Sequence, residues 1–315
     1  MPCKAPTKLQ IVVLVAYVVN LVVTYLSNTG LYGCTNKAVS DEYYTVITPP
    51  GWAFAIWGLI FMWEGVACVA QMVSLGPLPG LYEPIVDAKF AAWWCLACLV
   101  QCCWSVSFCH SIPLSAFFLA SIFAALVGLQ QTSLRKLEEL PPMEGGSARG
   151  RRLAAYLLFV APFSVHLGWV TAASALNVNL AAVAGGASAT VQIGLAVCSL
   201  LWVHTATWTI GVCGTGYAHG STDVANVAAT VWAFAAVAHH EIRPVATSTD
   251  PVLMPQDFVG TPLSTAAKFA AIVLSLGWLI RVVVTAVCQH LAGETCARSA
   301  MEAPLVAAEK EKSQA

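Results

Sequence analysis

The sequence predicts an all-α, polytopic integral membrane protein: a five-helix bundle, about three further transmembrane helices and a polar tail. Three observations carry this. Of the 315 residues, 58% are hydrophobic and only 10% charged, with a mean hydropathy of +0.73, so lipid rather than water is the solvent for most of the chain. The apolar residues fall into stretches near the length of about 20 residues that a helix needs to cross about 30 Å of hydrocarbon. Those stretches are continuous and do not alternate with period two, which argues against a β-barrel.

Eight stretches satisfy the criterion, at about residues 9–26, 52–73, 90–108, 114–134, 153–183, 189–212, 224–238 and 266–287. The first follows Lys4 and Lys8 and is too long for a signal-peptide core, so it reads as a retained helix. The fifth ends at the Gly185-Gly186 pair, which separates a core at 1–184 from an extension at 185–290. The seventh is about 15 residues long, short enough to lie at the interface instead. A polar connector with Pro244, Pro251, Pro255 and Pro262 precedes the eighth, and residues 291–315 form a polar tail expected to be disordered.

Lys and Arg concentrate in cytoplasmic loops of membrane proteins. Arg135, Lys136, Arg149, Arg151 and Arg152 crowd the connection between the fourth and fifth stretches. That connection is therefore assigned to the cytoplasm, and eight crossings then place both termini there too; the organelle is not encoded in any visible targeting segment. A net charge of −1 with no basic, aromatic-interleaved patch sets nucleic acid aside as a partner.

Twelve cysteines are present, and Cys95, Cys98, Cys102, Cys103 and Cys109 are assigned to the third span. Four of them, at spacings of three, seven and fourteen, share a face. A soft-metal or redox site is one reading. Small polarizable residues at a helix contact is the favoured one, since thiolates are unfavourable in hydrocarbon and no His or carboxylate accompanies them. Cys34 has no evident outside partner, so no disulfide is expected, and no metal site is assigned.

The second span opens with Thr48-Pro49-Pro50-Gly51-Trp52-Ala53-Phe54-Ala55-Ile56-Trp57. The third carries Gln101-Cys102-Cys103-Trp104-Ser105-Val106-Ser107-Phe108, and the fifth Pro162-Phe163-Ser164-Val165-His166-Leu167-Gly168-Trp169 followed by Ala173 and Asn177. These strings resemble the signatures of the TspO/translocator family, and the fifth-span form resembles its longer branch, the tryptophan-rich sensory proteins, over roughly residues 10–240. The resemblance implies a five-helix bundle with an intramembrane pocket for flat hydrophobic molecules, porphyrins and other tetrapyrroles or sterols. Carried over by position, the pocket residues are Trp52, Phe54, Trp57, Trp104, Trp169, Ala173 and Asn177. Departures are Gln101 for the family's Asn and Val106 for its Pro. A further Trp in the loop before Pro-Pro-Gly, associated with light-dependent porphyrin breakdown, is replaced here by Tyr43 and Tyr44, so an enzyme of that kind is not expected. The sterol-linked motif after the fifth span is missing, which ranks tetrapyrrole above sterol.

The residues read alone point the same way. Eleven Trp exceed what interfacial belts need; Trp52, Trp93 and Trp94 are assigned to those belts, and the deeper Trp57 and Trp169 suit either stacking on a planar ligand or core packing. Polar groups within spans are costly and mark function. His166, Trp169, Ala173 and Asn177 form one helical stripe, which adds His166 to the candidate ligand-binding residues. Glu64 falls on the face of Trp57, and pairing with Arg281 or with His166 is open: depths of about 18 Å for Glu64 and about 22 Å for Arg281 are compatible, and a Glu64–His166 pair would suit charge or proton coupling. His204 is an isolated candidate ligand.

The expectation is a binder of flat hydrophobic molecules acting as sensor, carrier or regulator, with no required cofactor beyond a porphyrin or other tetrapyrrole as ligand. The alternative is a secondary transporter using Glu64, His166 and Arg281. No inverted repeat, nucleophile elbow, phosphate loop or His-x-x-x-His site is visible. Membrane lipid is the other partner, and small residues on several spans permit a homodimer.

Overall fold

The computed structural model describes residues 5–73, 78–140, 148–212 and 223–238, together with a few positions between 272 and 283. Its helices are α1 (Lys8–Ser27), α2 (Asn36–Glu42), α3 (Ile56–Ala70), α4 (Leu78–Tyr82), α5 (Ala88–Ser107), α6 (Ile112–Glu138), α7 (Ala148–Phe159), α8 (Ala161–Ala184), α9 (Ala189–Thr207) and α10 (Val224–Ala238). A 3₁₀ turn, Gly51–Ala55, leads into α3, and a π turn, Trp208–Val212, follows α9. Among the described residues, six helical segments are long and apolar enough to cross a membrane, and α10 is a shorter apolar helix. The polytopic helical fold is thereby established. The eighth expected span, with Arg281, lies outside the described residues apart from isolated positions.

The expected 31-residue fifth span is two helices. Pro162, in the first turn of α8, has no N–H to donate, and its ring crowds the carbonyl four residues earlier. The chain breaks at Val160 (φ −122°, ψ −54°) and restarts, with Pro162 now at a position that tolerates it.

α8 is the axis of the bundle, packing against α3, α6, α7, α9 and α10. Every residue from Ala161 to Thr171 is buried, including Ser164, His166 and Thr171. By contrast α1 turns Ile11, Val12, Val15, Val18, Val19 and Val22 outward. This distribution is what lipid imposes: apolar side chains face it freely, and polar ones must find partners within the protein. Between α1 and α5, Asn20 Nδ2 donates to Gln101 Oε1 (3.2 Å) and the Thr24 and Ser105 hydroxyls pair (3.2 Å). Tyr17 donates to the Phe61 carbonyl (2.7 Å), fastening α1 to α3.

Trp94 corrects its assignment to an interfacial belt. It is fully buried, its indole donating to the Val13 carbonyl (3.2 Å) and standing edge-on to Phe163 at 4.8 Å. Trp93, one residue earlier, points instead toward α6 and lies on Gly128, where any Cβ would come within 2.5 Å of the indole.

A disulfide joins Cys34 to Cys109 (Cα–Cα 5.6 Å), which overturns the expectation of none. α5 ends at Ser107 with Phe108 as its cap, so Cys109 lies in the turn before α6 and not on the helix. The segment after α1 reverses at Gly30 (φ +81°) and Gly33 (φ +101°), both in the left-handed region glycine favours. That reversal brings Cys34 to the same edge of the bundle. Cys95, Cys98, Cys102 and Cys103 are free, and among the described residues no group of three or more His, Cys, Asp or Glu could hold a metal ion.

α10 approaches α8 backbone to backbone at Gly168, where an added Cβ would lie 2.3 Å from the Asn226 carbonyl oxygen and 2.8 Å from Ala229 Cβ. Small residues permit such contacts in lipid. Gly168→Ala is expected to lower stability by about 1–3 kcal/mol through overpacking, measured by unfolding in mixed micelles, whereas Gly58→Ala, with nothing within 4 Å of its Cβ, is expected to be neutral or slightly stabilising. For the disulfide, mass-tagging of denatured, unreduced protein should give one more adduct in Cys34→Ser than in the unmodified chain, because Cys109 is released. One adduct fewer would show that Cys34 was a free thiol.

Candidate functional site

The site grows from the entry of α3. Pro50 caps the 3₁₀ turn in extended conformation (φ −63°, ψ 154°), and the turn passes directly into α3 at Ile56. Phe54 and Trp57 thereby come to lie against α8, while Trp52 turns outward, 45% exposed, to meet Trp232 of α10 edge-on at 5.0 Å. The Trp232 indole donates to the Ala53 carbonyl (3.0 Å), which ties α10 to this turn.

Trp57 is the hub. It stacks on Trp104 of α5 (centroids 6.4 Å, planes 24° apart) and on Phe61 (5.6 Å, 22°). It meets His166 and Trp169 of α8 edge-on at 5.5 Å and 6.4 Å. Phe54 stands edge-on to Trp169 at 5.7 Å. Offset-stacked and T-shaped contacts of this kind are the favourable aromatic geometries. Asn177 closes the far end: its Oδ1 accepts from the Trp104 indole (3.4 Å) and from Ser115 (3.1 Å), and its Nδ2 donates to the Ala173 carbonyl (3.3 Å).

Below Trp57, Glu64 Oε1 and His166 Nδ1 are 2.7 Å apart, and both side chains are fully buried. Of the two pairings left open by the sequence, the described geometry contains this one; Arg281 lies outside the described residues. His204 is next to Trp208 (6.0 Å between rings) on α9.

An apolar cavity of about 40 Å³ adjoins the aromatic cluster. Trp169, Ala173 and Leu176 of α8 form one wall, Leu200 and Val203 of α9 and Phe234 of α10 the opposite one, and Ile47 and Pro49 from the segment before α3 line it as well. The helices after Gly185 thus wall the cavity. At about 10–15 Å³ per water-sized sphere, this is room for a few water-sized atoms, well short of the about 300–1,000 Å³ of ligand pockets. The aromatic side chains pack against one another beside it.

Sequence reasoning missed a second buried carboxylate. Asp223 caps α10 and accepts from Tyr156 of α7 (2.7 Å) and Gln130 of α6. The Tyr156 hydroxyl also accepts from the Ala225 amide (2.9 Å). An Asp immediately before an apolar run is a legible cap signal, but its partners are 93 and 67 residues away.

Six of the eight residues singled out as ligand-binding therefore form one continuous network, Ala173 borders it at the cavity, and Trp52 lies apart. No curated protein and no solved structure matches the chain. A family model described as TSPO-like protein matches residues 10–280, from α1 through α10 and beyond about residue 240, where the resemblance carried by the motifs ends. The chain belongs to the TSPO-like protein family.

Proposed function

We propose that this protein binds flat hydrophobic small molecules within the membrane, a tetrapyrrole before a sterol, and acts as a sensor, carrier or regulator. The observation that carries the reading is the cluster of Phe54, Trp57, Trp104 and Trp169 beside an apolar cavity. Rigid aromatic faces gain large contact area on a planar ligand at small entropic cost. The ligand would displace aromatic neighbours, chiefly Trp57, and replace one set of stacking contacts with another.

The buried Glu64–His166 pair favours a second reading, a transporter in which this pair couples a charge or proton to the cargo.

Two independent features support an orientation. The basic residues Arg135 and Lys136 end α6, and the Cys34–Cys109 disulfide sits at its beginning. α6 has 27 residues, about 40 Å at about 1.5 Å per residue, so the two features lie on opposite faces. Basic residues favour the cytoplasm, and disulfides persist in oxidising compartments.

The test is titration of the detergent-purified protein with protoporphyrin dimethyl ester, read by Trp quenching. Saturable binding that weakens about tenfold or more in Ala173→Phe, which fills the cavity, and in Asn177→Ala, which leaves the Trp104 indole without its acceptor, is the expected result. Absence of binding, together with flux in vesicles that Glu64→Gln abolishes, would favour the transporter.

A further inference from the structure

Three buried polar atoms of the site have no hydrogen-bond partner among the described residues: Glu64 Oε2, His166 Nε2 and Trp169 Nε1. Glu64 and His166 are 0% exposed and Trp169 is 3% exposed. Each such atom loses its hydration with nothing in return where water is excluded. Four other indoles, those of Trp63, Trp94, Trp104 and Trp232, each donate to a protein oxygen. Trp169, which lines the cavity, does not.

Counting protons fixes what the His166 nitrogen offers. Nδ1 and Glu64 Oε1 share a hydrogen bond. If Glu64 is ionised and His166 protonated, Nε2 carries a proton. If instead the carboxylic acid donates to Nδ1, the neutral imidazole carries its one proton on Nε2. Both are the net-neutral forms that an apolar interior favours, since an uncompensated charge there is expensive. In either form His166 Nε2 is a donor, as Trp169 Nε1 always is.

The two donors sit three residues apart on one face of α8, and both rings stand edge-on to Trp57. Trp169 borders the cavity. We infer that the occupant of this site carries a neutral carbonyl oxygen, of the ester, ketone or lactam kind, which accepts hydrogen bonds from Trp169 Nε1 and His166 Nε2. An ionised carboxylate would bring a charge that the neutral Glu64–His166 pair does not offset. This inference rests on the binding function proposed above and adds the chemical group that the ligand presents.

The probes are mesoporphyrin dimethyl ester and etioporphyrin, which share a macrocycle and differ in the presence of ester carbonyls. In the full-length protein the ester should bind about tenfold more tightly, the gain from satisfying buried donors. Trp169→Phe, which keeps an aromatic ring and removes the N–H, should erase that advantage, weakening the ester about tenfold more than etioporphyrin. His166→Phe should do the same; if its yield is poor, Trp169→Phe decides alone. Equal affinity for the two probes, or equal weakening of both by Trp169→Phe, would overturn the carbonyl assignment while leaving tetrapyrrole binding standing. Failure of both probes to bind would overturn the binding function and the assignment with it.

Discussion

Hydrocarbon offers no hydrogen bonds, and the arrangement of this bundle follows from that single constraint. Polar side chains within the spans must meet one another, so the helix that carries more of them than any other becomes the centre. α8 holds Ser164, His166, Thr171, Ser174, Asn177 and Asn179, all buried. The Glu64–His166 contact is the most demanding case, because two ionisable groups with no exposure can persist only together. It fixes the depth at which α3 meets α8, and Trp57, one face of α3 above Glu64, then falls between Trp104 and Trp169.

The aromatic cluster inherits this precision. Its rings are held by helices whose relative heights are set by polar contacts: Asn177 to Trp104 at one end, Glu64 to His166 at the other. The cavity beside it is walled by α9 and α10, and the close approach of α10 at Gly168 places Phe234 there. The extension is thus part of the site's geometry, and the rest state is one in which aromatic side chains occupy one another's contact surfaces.

What the sequence makes legible divides along physical lines. Span existence follows from apolar length, which is local, and six expected spans have counterparts among the candidate membrane helices. The His166, Trp169, Ala173 and Asn177 stripe follows from helical periodicity, also local. The break at Val160 was readable from Pro162, whose missing donor a continuous helix cannot accommodate. Cys109 was placed on a helix that ends two residues earlier, and with it the disulfide was lost. Trp94 was read from its place near a helix start, whereas its burial depends on α1 and α8 crossing there. The Asp223, Tyr156 and Gln130 set spans three helices, and no spacing rule connects them.

A double-substitution cycle on the buried pair tests the central constraint most directly, with Glu64→Leu, His166→Phe and the two combined, followed by unfolding in mixed micelles. Each single change strands the other partner in an apolar interior and should cost about 3–5 kcal/mol. The combined variant should cost clearly less than the sum of the two, with a coupling of about 1–3 kcal/mol. Strict additivity would mean that the two side chains do not depend on each other, and the account of α8 as the axis to which α3 is fastened would be contradicted.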